Sequence, residues 1–264
     1  KRYYKDATMV VLPSDHLISN EDRFRNILLD GEEYLKENGK SILTLGMTPN
    51  RAETGYGYIK FTEDKSLVNN SEVIKVEKFV EKPNKERAEE YLKDGSYLWN
   101  GGMFLWTIDN IINRVKEHIP NTYESLKEIE EVKEEKLQEL INNNYKKTFI
   151  LSKFDIAIFD FDSISVDYAI LENADEIRVI PSDIGWDDIG TWRSVERYRE
   201  KDINNNIIDE NVRVIESKSN MAINKEKRVV MIGIEDIMTV ETEDTIFIVK
   251  KDYMDNLRDY KEVL

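Results

Sequence analysis

The chain has 264 residues and a formal net charge of −15, from 38 Lys and Arg against 53 Asp and Glu. Its lack of cysteine excludes a disulfide scaffold, a thiolate zinc site and a cysteine nucleophile. The acidic balance argues against non-specific nucleic-acid binding, and no apolar run approaches the ~20 residues that span a bilayer. A soluble cytoplasmic protein with neither nucleic acid nor membrane among its partners is expected. Hydrophobic residues make up 40%, enough for the core of one large domain, or of a medium domain plus a small one.

Residues 7–12 form a short apolar, β-branched run that fits a strand covered on both faces. The chain opens on Lys1 rather than Met, and this strand has no partner before it, so a preceding N-terminal part is expected. Asn20 can cap a helix reaching to about Asn38, with Phe24, Ile27, Leu28 and Leu35 at helical spacing and Gly39 as a stop. Residues 41–46 read as a second apolar strand, so a βαβ unit and a mostly parallel sheet are expected. Residues 56–61 and 73–80 read as paired strands, 84–94 as a helix closed by Gly95, and 103–107 as a strand. Asp109 can cap a helix to about His118, and residues 122–143 form a charged helix with one apolar edge. Residues 165–173 read as a helix, 177–180 as a strand, 185–190 as a turn and 191–200 as a helix. After Lys201 short β-rich runs recur at 212–215, 229–232, 238–240 and 245–249, the spacing of a small β domain or a few β-helix coils. The expected division is 1–201, an α/β domain, and 202–264, a small β-rich domain.

Six motifs could carry chemistry, each with a structural alternative. Asp15, in Pro13-Ser14-Asp15-His16, lies past the end of the opening strand, where open α/β sheets bind ligands; it could hold a metal or cap the next helix. Gly55-Tyr56-Gly57-Tyr58 allows close backbone approach, or simply marks a turn. In Val80-Glu81-Lys82-Pro83, a carboxylate can accept from sugar hydroxyls and an ammonium can hold a phosphate. An exposed ion pair is the alternative, and the two side chains point apart if the strand persists. Asn100, in Trp99-Asn100-Gly101-Gly102, offers donor and acceptor to a hydroxyl-rich ligand. Ser165 and Asp167 suit a helix start, which is also an anion site. The adjacent Asp187 and Asp188 repel each other unless a cation or full solvation relieves them. The two histidines, His16 and His118, give no triad or metal cluster.

Taken in order, these blocks resemble one family. Pro13 to His16, Glu53 to Ile59, Val80 to Pro83, Trp99 to Phe104, Ser165 to Glu172 and Gly185 to Trp192 are similar to the motifs of bacterial-type mannose-1-phosphate guanylyltransferases, within the sugar nucleotidyltransferase superfamily. The resemblance implies a Rossmann-like (GT-A-like) α/β domain with a mixed, mostly parallel sheet, followed by a β-helix-like domain. It implies the conversion of GTP and α-D-mannose 1-phosphate to GDP-mannose and pyrophosphate. It implies a magnesium ion held by Asp15 and Asp188, and Lys82 on the sugar phosphate. Glu81, Asn100 and the Gly101 backbone would read mannose hydroxyls, Gly57 would offer backbone contact, and Ser165 or Asp167 would line the same pocket. Self-association as a homodimer through the C-terminal β region is also implied.

Two departures stand out. The family usually has serine where this chain has Gly101. The glycine-rich loop and basic residues that cradle the triphosphate, and most guanine-recognising residues, normally lie upstream of the segment seen here, so this chain alone is expected to be inactive. The alternatives are another sugar-1-phosphate nucleotidyltransferase with a different base or hexose, and a non-catalytic regulatory relative that binds nucleotide sugars.

Overall fold

The computed structural model describes residues 4, 6–130, 162–224 and 226–260. The chain forms two compact units, one of residues 1–14 with 18–186, the other of 15–17 with 187–264.

The first unit is built on a six-stranded sheet in the order β1-β6-β3-β7-β5-β4. Its strands are β1 (Thr8–Val11), β3 (Ile42–Met47), β4 (Tyr58–Val68), β5 (Ser71–Val80), β6 (Tyr97–Thr107) and β7 (Ile177–Pro181). β6 lies antiparallel between β1 and β3, β3 pairs parallel with β7, and β5 and β4 follow antiparallel. β1, β3, β7 and β4 therefore share one direction, while the reversed β6 and β5 make most neighbouring pairs antiparallel. The expected β-helix-β pair is present in direction, but β6 inserts between its two strands. β3 is buried throughout, as its unbroken apolar run requires.

β1 departs from the expectation of a strand covered on both faces. It lies at the sheet's edge, paired only with β6 among described strands, and Met9, Val10, Val11 and Leu12 remain 37–43% exposed.

Capping explains the helices. Asn20 accepts from the Arg23 amide to start α1 (Glu21–Glu37), and Ile27, Tyr34 and Leu35 of its inner face join the core of β3, β4 and β6. Asn84 caps α2 (Lys85–Asp94), which Gly95 ends in the left-handed conformation. β6 runs directly into α3 (Ile108–His118), whose cap is Thr107, accepting from the Asn110 amide at 3.2 Å. Asp109, expected as that cap, sits inside the first turn, where its charge favours the helix dipole. α4 (Pro120–Glu130) opens on proline, and the rest of the charged helix expected to residue 143 lies outside the described residues. The helix expected over 165–173 is two pieces, α5 (Val166–Ala169) and a 3₁₀ turn (Leu171–Asn173).

β2 (Leu17–Ile18) and β8 (Trp186–Asp187) form a two-stranded sheet, so the turn expected over 185–190 contains a short strand.

The second unit continues with α6 (Trp192–Tyr198), capped by Thr191, and then β9 (Ile207–Ile208), β10 (Val212–Ile215), β11 (Met221–Ile223), β12 (Val229–Ile232), β13 (Ile237–Glu241) and β14 (Ile246–Lys250). A 3₁₀ helix, Lys251–Tyr260, follows. β10 pairs parallel with β12, and β11 lies parallel between β9 and β13. Parallel partners separated by a short stretch that carries one further strand, with no crossover helix, are successive coils of a β-helix. Inside them Asn206 and Asn220 are buried and stacked: Asn220 Nδ2 donates to Asn206 Oδ1 (3.1 Å) and to the Ile234 carbonyl (2.8 Å), while its Oδ1 accepts from the Ile237 amide (3.0 Å). Each amide thus satisfies backbone groups that the coil bends would leave unpaired. Asn220→Ala is expected to strand the Ile237 amide, while the Ile234 carbonyl keeps the Lys218 amide at 3.3 Å, and to cost about 2 kcal/mol, read as a lower urea midpoint of the full chain.

Candidate functional site

In the first unit, five of the sequence-derived residues converge from distant segments. The Glu81 carboxylate faces Gly57 so closely that a Cβ there would lie 2.5 Å from Glu81 Oε2 and 3.3 Å from Asn100 Cβ. The Asn100 amide donates to the Gly57 carbonyl at 2.8 Å. Asn100 Nδ2 donates to Asp167 Oδ1 at 3.0 Å, and Lys82 Nζ to Glu81 Oε1 at 2.8 Å.

Local chain geometry produces this convergence. Thr44 faces Phe104 across β3 and β6, yet Gly46 faces Asn100 where regular pairing would give Gly102. The extra residues form a bulge in β6, the usual device for re-aiming a side chain. Within it Gly102 takes φ +64°, and its amide donates to Asn100 Oδ1 at 3.1 Å. Thr44 Oγ1, fully buried, donates to the same oxygen at 3.2 Å. Asn100 Oδ1 is thereby committed and the amide's orientation fixed, leaving the second Nδ2 proton for a ligand.

β5 ends at Val80, and Lys82 adopts φ +43°. The strand does not persist through Glu81 and Lys82, and the left-handed turn folds the two side chains together instead of apart. Ser165 is the N-cap of α5, its hydroxyl accepting from the Tyr168 amide at 3.5 Å. The cap places Asp167 in the first turn, facing Asn100. Gly101 packs the other way, where a Cβ would lie 2.8 Å from Met47 Cε and 3.0 Å from the Leu45 carbonyl oxygen. Close packing of β6 on β3 accounts for that glycine.

The electrostatics are those of a polar, partly desolvated cluster. Burial, and then the neighbouring Glu81 carboxylate, raise the Asp167 pKa, against the Asn100 hydrogen bond and the Lys82 charge. The hydrogen bond to Glu81 raises that of Lys82, so its ammonium stays charged at neutral pH. Thr44, which reads in sequence as one more residue of a buried strand, is the member of this cluster that sequence reasoning missed. Its signal was a lone hydroxyl in the apolar run Ile42-Leu43-Thr44-Leu45.

In the second unit, Asp15, His16, Asp187 and Asp188 lie together. Burial lowers the His16 pKa, while Asp15, Asp188 and Asp187 each push it back up. The two adjacent aspartates have different surroundings. Asp187 is buried: its Oδ2 accepts from Arg197 Nη2 at 2.6 Å and from the Tyr198 hydroxyl at 3.3 Å, and its Oδ1 accepts from the Ile189 amide at 3.0 Å. Burial raises its pKa, but the Arg197 and Ile189 hydrogen bonds outweigh that and hold it below the ordinary value. Asp188, partly exposed, accepts from the Gly190 amide at 3.0 Å. Asp15, the alternative cap of α1, leaves that role to Asn20. Among the described residues no group of three or more His, Asp or Glu side chains is arranged to hold a metal. Two carboxylates remain, hard oxygen donors of the kind that bind magnesium when substrate phosphates complete its shell.

Comparison with known proteins bears on the family and the fold. Residues 1–205 match the Nucleotidyl transferase family, and residues 209–264 match the MannoseP isomerase/GMP-like beta-helix domain. The chain is 34% identical over 255 residues to the alginate biosynthesis protein AlgA of Pseudomonas fluorescens, covering 96% of this chain and 50% of that protein. It is 33% identical over 254 residues to the mannose-1-phosphate guanylyltransferase RfbM of Salmonella typhimurium, covering 96% and 49%. The chain thus spans about half the length of the curated relatives it matches. A crystal structure from Thermus thermophilus, described as a mannose-1-phosphate geranyltransferase, superposes with a TM-score of 0.74 at 26% identity, covering 97% of this chain and 69% of that one. The chain belongs to the nucleotidyl transferase family, with a ManC-like β-helix domain following its nucleotidyltransferase domain.

Proposed function

We propose that this chain is the sugar-phosphate-binding and metal-binding part of a mannose-1-phosphate guanylyltransferase, which joins GTP and α-D-mannose 1-phosphate into GDP-mannose and pyrophosphate. The observation that carries the reading is the convergence of Gly57, Glu81, Lys82, Asn100 and Asp167. Two carboxylates and an oriented amide proton match a polyol that both donates and accepts, and an ammonium at the rim matches its phosphate. The names of relatives such as RfbM point the same way.

The attacking sugar-phosphate oxygen is already ionised at neutral pH, so the protein has no proton to remove. Its task is alignment and charge neutralisation. Glu81 and Asp167 accept from sugar hydroxyls, Asn100 donates to one, Lys82 binds the ester phosphate, and Ser165 and the Gly101 backbone flank the sugar. Asp15 and Asp188 would hold a magnesium ion, which when bound neutralises charge on the phosphates. Release of pyrophosphate by the intact protein, across a panel of nucleotides and sugar phosphates, tests this. A preference for GTP with mannose 1-phosphate supports it; activity only with another base or hexose replaces it, and no activity with any pair overturns it.

The raised Asp167 pKa gives a signed pH dependence. The fold holds this proton more tightly than the unfolded chain does, so stability falls as pH rises from the ordinary carboxyl range through the raised value. Over the same window Asp167 gains the charge that accepts a hydroxyl. Affinity for α-D-mannose 1-phosphate is expected to rise across it, and Asp167→Asn to flatten that limb to the part that follows the second ionisation of the sugar phosphate, in calorimetric titrations from about pH 4 to pH 7.

Ile215, Val230 and Ile232 stand 49–62% exposed on the outer side of the β10–β12 pair, with Ile215 opposite Ile232. This apolar face is where we place the homodimer contact, which light scattering on the intact protein would test. No described helix is long and apolar enough to cross a membrane. A cytoplasmic location fits GTP as substrate.

A further inference from the structure

Arg51 belongs to none of the motifs singled out in the sequence, yet it sits where two walls of the sugar cluster meet. Its guanidinium carbon lies 4.9 Å from the Trp99 ring centroid and 5.7 Å from that of Tyr56, and the two rings meet edge to face. Its nitrogens donate in three directions: Nε to Glu53 Oε2 (3.2 Å), Nη1 to Asn50 Oδ1 (3.1 Å) and Nη2 to the Tyr56 hydroxyl (3.3 Å). Glu53 in turn organises the loop before Gly57. Its Oε1 accepts from the Thr54 and Gly55 amides, and its backbone N–H and carbonyl both engage the buried Tyr58 hydroxyl. On the other wall, Trp99 immediately precedes Asn100, whose amide reaches back to the Gly57 carbonyl.

We propose that Arg51 is a positioning residue that braces the loop of residues 53–57 against Trp99 and so sets the spacing between Gly57 and Asn100, on which discrimination between sugar epimers depends. The inference rests on the sugar-site reading above. It requires a planar, multidentate cation. A lysine is a point charge that cannot stack on two rings and reach three acceptors at once. A slackened spacing misplaces the Asn100 proton and the Glu81 carboxylate relative to each other, and small misplacements of this kind lower affinity steeply.

The test uses the full chain, titrated calorimetrically with α-D-mannose 1-phosphate and its 2-epimer α-D-glucose 1-phosphate, with thermal unfolding followed in parallel. Arg51→Met and Arg51→Lys are both expected to bind mannose 1-phosphate about tenfold more weakly and to narrow the ratio of the two dissociation constants. Lysine should not rescue. Wild-type affinity in Arg51→Lys, or an unchanged ratio alongside a lowered melting temperature in both variants, would overturn the proposal in favour of a charge role or a purely structural one. If Arg51→Met does not fold, Arg51→Lys decides the matter. Gly57→Ala is the control for the underlying reading: unchanged sugar binding in that variant removes the sugar site itself, whatever the Arg51 variants do.

Discussion

Gly57→Ala is expected to weaken α-D-mannose 1-phosphate binding by about 10- to 100-fold while leaving the fold intact. The backbone at Gly57 is outside the left-handed region, so alanine meets no conformational penalty there. Its methyl group meets a steric one, at 2.5 Å from Glu81 Oε2 and 3.5 Å from Phe79 Cε1. Phe79 tolerates contact at that distance, whereas the Glu81 carboxylate must swing away. That movement breaks the 2.8 Å pair with Lys82 and removes one of the two carboxylates of the proposed sugar site. The pair is too exposed on the Lys82 side for its loss to weigh on stability. Calorimetry should therefore show a large loss of affinity beside a melting temperature changed by little. Unchanged affinity would remove the proposed sugar site itself; a matching collapse of stability would mean that Gly57 is a packing residue only.

That contrast also shows where the sequence was legible. Local rules carried the helices, because a cap is a contact between neighbours: Asn20 with Arg23, Asn84 with Arg87 and Ser165 with Tyr168 are all pairs three residues apart. The site was legible as residue types in short motifs, since glycine, asparagine and paired acids mark places where chemistry or backbone geometry is unusual. What was hidden depends on distant partners. Nothing near residues 8–11 announces that β6 arrives antiparallel beside them and leaves their outer edge open. Thr44 acquires its role only because a bulge some sixty positions later brings Asn100 onto it. Glu81 and Lys82 were judged by strand alternation, which fails once Lys82 turns left-handed. The β-helix was expected from short apolar runs, but its asparagine stack was not. The repeats Asn206-Ile207 and Asn220-Met221 are 14 positions apart, whereas Asn220 reaches the next coil at Ile237, 17 positions on. Coils of unequal length hide the period.

The adjacent aspartates should respond to the same substitution in opposite ways. Asp187→Asn is expected to destabilise the protein by about 1–3 kcal/mol: its carboxylate is buried against Arg197, Tyr198 and the Ile189 amide, and only the partial exposure of Arg197 moderates the loss. Because the Asp187 pKa is depressed in the fold, its contribution is complete above the ordinary carboxyl value and disappears as pH falls through the lowered one. Asp187→Asn should therefore narrow the stability difference between neutral and acidic pH. Asp188→Asn should change the melting temperature far less than Asp187→Asn does, since an asparagine oxygen can still accept from the Gly190 amide. It removes a negative charge beside Asp15 and His16, where the magnesium ion is proposed to bind. The intact protein should then lose activity by roughly 10³-fold, with weaker Mn²⁺ binding by electron paramagnetic resonance. The turn is built for this division. Ile189, β-branched and at φ +48°, is held there by the Asp187 hydrogen bond, and Gly190 is the residue that lets the Asp188 carboxylate fold over it, since a Cβ would lie 2.7 Å from Asp188 Oδ2. If Asp188→Asn keeps full activity and Asp187→Asn loses it with no change in stability, the two roles are reversed, and the buried carboxylate with its arginine belongs to the chemistry instead of the scaffold.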